Sequence, residues 1–120
     1  MATAFAATKL TADFVGTNYK RGVYKIQMPN PTTSGGDTWD ISGEFDFVQG
    51  MSMNVSGAVG DLGYKYGLVG GTYSSTGLGY PAATVKIVAH QSAGSNAAVD
   101  EADGVDLSAV NDGLATVWGT

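Results

Sequence analysis

The sequence predicts an all-β fold: a single-domain antiparallel β-sandwich or small β-barrel with glycine-rich loops. Three observations predict it. Apolar residues recur with a period of two in several short segments. Between those segments lie most of the 18 glycines of the 120-residue chain. No stretch keeps a 3.6-residue apolar period over the length of an ordinary helix.

The chain opens with MATAFAATKL, alanine-rich and without a two-residue period. Residues 1–8 are expected to form an arm outside the fold, and residues 9–120 a single β domain. The opening has no basic start and its apolar run is broken by Thr3 and Thr8, so it does not read as a leader peptide. KLTADFV (9–15) is a weak strand. RGVYKIQM (21–28) is a stronger one, setting Tyr24, Ile26 and Met28 against Lys25 and Gln27. DTWDIS (37–42) is a further weak strand. In EFDFVQGMSMNVS (44–56), Phe45, Phe47, Met51, Met53 and Val55 are expected on one face. Asp46, Ser52, Asn54 and Ser56 fall on the other, with a bulge near Gly50. YKYGLVG (64–70) is weak; ATVKIVAH (83–90) faces Val85, Ile87 and Ala89 one way; LATVWG (114–119) is rich in strand formers. Turns are expected at 15–18, 29–37, 56–63, 70–81 and 90–98.

Six Lys/Arg face eleven Asp/Glu, a net charge of −5. A basic footprint for nucleic acid is missing, so no nucleic-acid partner is expected. No apolar run is long enough to span a membrane, and no membrane partner is expected. With no cysteine and one histidine, disulfides, thiolate sites and the common zinc arrangements are excluded. Charge is low at 14%, and six tyrosines accompany the glycines, a composition suited to a surface that touches other protein.

Candidate chemistry is sparse. His90 ends a strand pattern two residues before Ser92, but a triad also needs an orienting carboxylate and oxyanion donors. Asp37 and Asp40 flank Trp39, as in many sugar platforms, yet Trp39 alternates with Ile41 as core residues do. GLVGGTYSSTGLG (67–79) lacks the lysine and following helix of a phosphate cradle and reads as a hairpin loop offering Tyr73 and Tyr80. EADGVDLSAVNDG (101–113) resembles a calcium loop in composition only. Asp100, Glu101, Asp103 and Asp106 do not keep the alternating ligand spacing, and no glutamate closes the run. It reads as a connector: Asp103-Gly104 turns, Asp106 caps a short DLSAV turn, and Asn111-Asp112-Gly113 leads into the last strand. No catalytic residue, metal or cofactor is expected, and the chain is not expected to be an enzyme. Asn54-Val55-Ser56 matches a glycosylation sequon, but inside a strand.

ATVKIVAH, EADGVDLSAV and LATVWGT, with GDTWDISGEFDFVQGMSM before them, resemble small virion structural proteins of tailed bacteriophages. The likeness covers the last two thirds of the chain and is one of pattern, without a diagnostic motif. It implies a head decoration or capsid cement protein, located on the capsid surface of the virion after assembly in the host cytoplasm. Its expected partner is the major capsid protein, and a homotrimer would match three-fold positions of a shell. Phe5, Tyr73 and Tyr80 are the candidates for contact with the capsid or with other copies. The alternative is a glycan- or receptor-binding module of a phage tail or fibre, using Trp39, the tyrosines and the acids of 100–106.

Overall fold

A computed structural model of the chain describes residues 2–14, 19–55, 64–92, 99–101 and 104–120. Among the described residues nine strands follow one another: β1 (Ala6–Phe14), β2 (Lys20–Gln27), β3 (Asp37–Thr38), β4 (Phe47–Asn54), β5 (Tyr64–Val69), β6 (Tyr80–Pro81), β7 (Lys86–Ser92), β8 (Val99–Glu101) and β9 (Gly113–Gly119). They form two antiparallel sheets. One runs β1-β2-β9-β4-β6; in the other, β7 pairs β5 on one side and both β3 and β8 elsewhere along its length. Both sheets are open, so the fold is a β-sandwich and not a closed barrel. Among the described residues the only helical turn is a 3₁₀ turn at Ala82–Thr84.

The two-residue period explains which side chains meet between the sheets. Tyr24, Ile26, Ala115 and Val117 point inward from the five-stranded sheet, and Val85, Ile87 and Ala89 from the β7 side, all buried. The connections add Met28, Trp39, Ile41, Phe45, Leu107 and Val110. DTWDIS is therefore mostly not strand: only Asp37 and Thr38 pair with β7. Trp39 and Ile41 instead dip into the core, held by amide bonds to the carbonyls of Val85 and Ala82.

β4 departs from the expected face. Its pairing with β9 shifts register between Val48 and Gly50, and a bulge of this kind reverses which parity faces the core. Val48 is buried before the shift, while Met51 and Met53 lean on the core after it. Phe47 therefore points to the opposite side from Met53, not to the same side as the plain alternation suggests.

Residues 2–8 are also placed differently from the expectation of an arm. Thr3 and Asn30 exchange amide–carbonyl hydrogen bonds of 3.0 and 2.9 Å, and β1 begins at Ala6, opposite Gln27. An edge strand is held by its backbone ladder, so small Ala and Thr residues suffice and leave no apolar period to read.

The acidic connector is a turn where it is described. Asp106 Oδ1 accepts from the Ser108 amide at 3.0 Å and the Ser108 hydroxyl at 2.6 Å. Leu107 and Val110 are buried beneath it, and Val105 and Leu107 donate amide bonds to Thr32 Oγ1 and the Pro29 carbonyl. The turns expected at 15–18 and 56–63, most of that at 90–98, and Asp103 lie outside the described residues.

Candidate binding hairpin

The loop between β5 and β6 is built as a small hydrogen-bonded hairpin. Ser74 and Gly79 exchange backbone hydrogen bonds of 2.8 and 3.2 Å, and Ser74 Oγ accepts from the Gly77 amide at 2.9 Å. Glycine is required where this hairpin meets β4. A Cβ on Gly77 would lie 2.6 Å from the Phe47 ring, and one on Gly79 would lie 2.7 Å from the Val48 carbonyl oxygen. At the other end Thr84 Oγ1 accepts from the Gly71 amide and donates to the Pro81 carbonyl. The outward-turned Phe47, freed from the core by the bulge, is the floor on which the hairpin rests.

Beside exposed Thr72, Ser75 and Thr76, the hairpin presents two large apolar side chains. Tyr73 is 53% exposed and Leu78 56%, with Val69 at the end of β5 also exposed. Leu78 has φ of 59°, the left-handed region that costs a leucine about 1–2 kcal/mol. Tyr73 meets Tyr80 edge to face, with ring centroids 5.5 Å apart. Tyr80 turns inward against the core, and Gly70 packs on its ring, so it buttresses Tyr73.

Of the residues singled out from sequence, Tyr73 and Tyr80 come together here. Phe5 does not join them. It precedes β1 at one edge of the five-stranded sheet, whereas β6 is the other edge. Phe5 packs on Trp39 at 5.8 Å, and Tyr24 meets the same indole edge-on at 5.2 Å. Burial of Trp39 at 5% exposure leaves it no open face for a sugar. Its flanking acids serve local turns: Asp37 accepts from Thr33, and Asp40 from the Ser42 amide. The hydrogen bonds from Ser42 and Ser108 hold the Asp40 and Asp106 carboxyls below the usual carboxylate range. His90 is half-buried on β7 with Glu101 opposite in register; the side chains of Ser92, Asp100 and Glu101 lie outside the described residues.

Sequence reading missed Leu78 and Trp118. Nothing in a glycine-rich stretch marks which residue will sit at positive φ. Trp118 alternates with Val117 in a strand whose inward face is visible only once Ala115 and Val117 are known to be buried.

The class defined so far is an all-β sandwich that displays a braced apolar hairpin. Comparison with protein-family models, curated proteins and solved structures gave no match.

Proposed function

We propose that the chain is a bacteriophage capsid decoration protein that binds the outside of the head shell and bridges major capsid protein subunits. The observation that carries a binding role is Leu78. A leucine held at positive φ with more than half its surface in water carries a local cost that burial of its own side chain within the domain does not offset. Burial against a partner would offset that cost, at roughly 25 cal/mol per Å² of apolar surface. Tyr73 beside it supplies the aromatic area that interface centres favour. The assignment of that partner to a head shell is supported by the phage-like pattern of the C-terminal segments. A homotrimer is the assembly that would match three-fold positions on a shell.

The test uses purified protein and heads lacking it, from the phage whose genome encodes the chain. Leu78→Gly removes the side chain and relieves the positive φ, so the fold should melt no lower than the parent. Shell affinity, read by co-sedimentation, should nevertheless fall roughly tenfold or more, the weight of a central contact. Unchanged affinity for the variant would remove the hairpin from the contact, and no binding by the parent chain would end the shell reading itself.

A further inference from the structure

The outer face of the five-stranded sheet carries a second surface that the hairpin does not use. Three rows cross β2, β9 and β4 there in register: Arg21–Trp118–Gly50, Val23–Thr116–Ser52 and Lys25–Leu114–Asn54. Because Ala115 and Val117 are buried, Leu114, Thr116 and Trp118 must point outward. Trp118 lies down across Gly50: a Cβ there would come 2.5 Å from the indole ring. The indole is thus half-buried, resting one side on the sheet instead of projecting as a knob.

We propose that this face binds a short acidic oligosaccharide, with the Trp118 indole as the stacking surface. An aromatic laid flat offers area to the apolar side of a flat ligand, whereas a protein partner's anchor usually fills a pocket. Ser52, Thr116 and Asn54 line the neighbouring rows with short hydroxyl and amide groups, suited to a polyhydroxylated ligand. On these three strands the charged residues of the face are Arg21 and Lys25, with no acid, in a chain of net charge −5; Asp13 stands across from Arg21 on β1. A carboxylated sugar complements the exposed Lys25.

This inference does not rest on the shell reading, and its test needs no capsid. Sialyllactose and trigalacturonate, with lactose as the neutral comparator, are titrated into the full chain labelled with ¹⁵N. Binding is read from the two indole N–H resonances. The Trp118 signal should shift saturably with at least one acidic sugar while that of buried Trp39 stays put, and lactose should bind roughly tenfold more weakly. Lys25→Gln, at an exposed position, should remove most of the preference for the acidic ligand without altering the melting temperature. Trp118→Ala should abolish binding, as judged by shifts of the backbone amides of Ser52 and Thr116. If none of the three sugars moves the Trp118 resonance at millimolar concentration, or if shifts persist in Trp118→Ala, the site does not exist. Equal affinity for lactose and the acidic sugars would overturn the role of Lys25 and the acidic character of the ligand.

Discussion

Tyr24 sets its ring edge-on to Trp39 and lies along its own strand over Gly22, whose missing Cβ makes the room. Its hydroxyl is buried and has no hydrogen-bond partner among the described residues. Burial, and secondarily the carboxylate of Glu44, push its pKa up to about 12 from 10.0. The fold therefore holds the neutral phenol. Unfolded tyrosine begins to ionise first, so stability present below pH 10 is lost as pH rises from 10 towards about 12. Tyr24→Phe deletes both the unpaired hydroxyl and this proton. Its melting temperature near neutral pH should equal or exceed the parent's, since removing an unsatisfied polar group avoids a desolvation cost of about 1–3 kcal/mol. The gap between the two proteins should widen as the melts are repeated above pH 10. A variant that melts lower at every pH would mean that the hydroxyl has a partner, such as a bound water.

At the scale of elements, the two-residue period revealed strands with one buried face; β2 and β9 expose the other, while β7 also buries Val88 there. Tyr24, Ile26 and Met28 in and around β2, and Val85, Ile87 and Ala89 along β7, are all buried as their alternation suggested. The phase of β4 was not legible in full. The bulge near Gly50 was visible, but its consequence depends on where the extra residue sits, and pairing with β9 decides that. The hairpin of 74–79 hangs on this detail, because only an outward Phe47 gives Gly77 its seat. Gly79→Ala should be costly, for its Cβ would press on the Val48 carbonyl oxygen, a backbone atom with little freedom to move. Overpacking of this sort costs about 1–3 kcal/mol. Gly43→Ala is the matched control: nothing lies within 4 Å of its Cβ, and the change should stay within about 0.5 kcal/mol. Chemical denaturation of both variants measures the difference, and equal midpoints would show that the hairpin is not braced against β4.

For the molecule as a whole, β9, the last strand in the sequence, sits in the middle of the five-stranded sheet, and β1, the first, forms its edge. Neither placement can be read from local pattern, because each depends on a partner far away in sequence. That is why the N-terminal segment looked like an appendage: its Ala and Thr residues carry no core signal, while its ties are to Asn30, Trp39 and Gln27. Removal of residues 2–8 should consequently weaken the fold itself. The deletion loses two backbone hydrogen bonds to Asn30, each worth about 1 kcal/mol. It also strips Phe5 from Trp39, for which a half-buried ring suggests about 1–2 kcal/mol. Those two losses come to about 3–4 kcal/mol before the first rungs of β1 are counted, enough to lower the melting temperature by roughly 12–16 °C in a domain of this size. Phe5→Ala in the full chain should reproduce about a third to a half of that drop, separating ring packing from backbone pairing. The same pair of variants distinguishes a segment built into the sandwich from one that reaches for a partner. A built-in segment lowers stability in the isolated chain, whereas a reaching arm leaves the melt unchanged and weakens only assembly. An unchanged melt for the truncated chain would return residues 2–8 to the role of an arm.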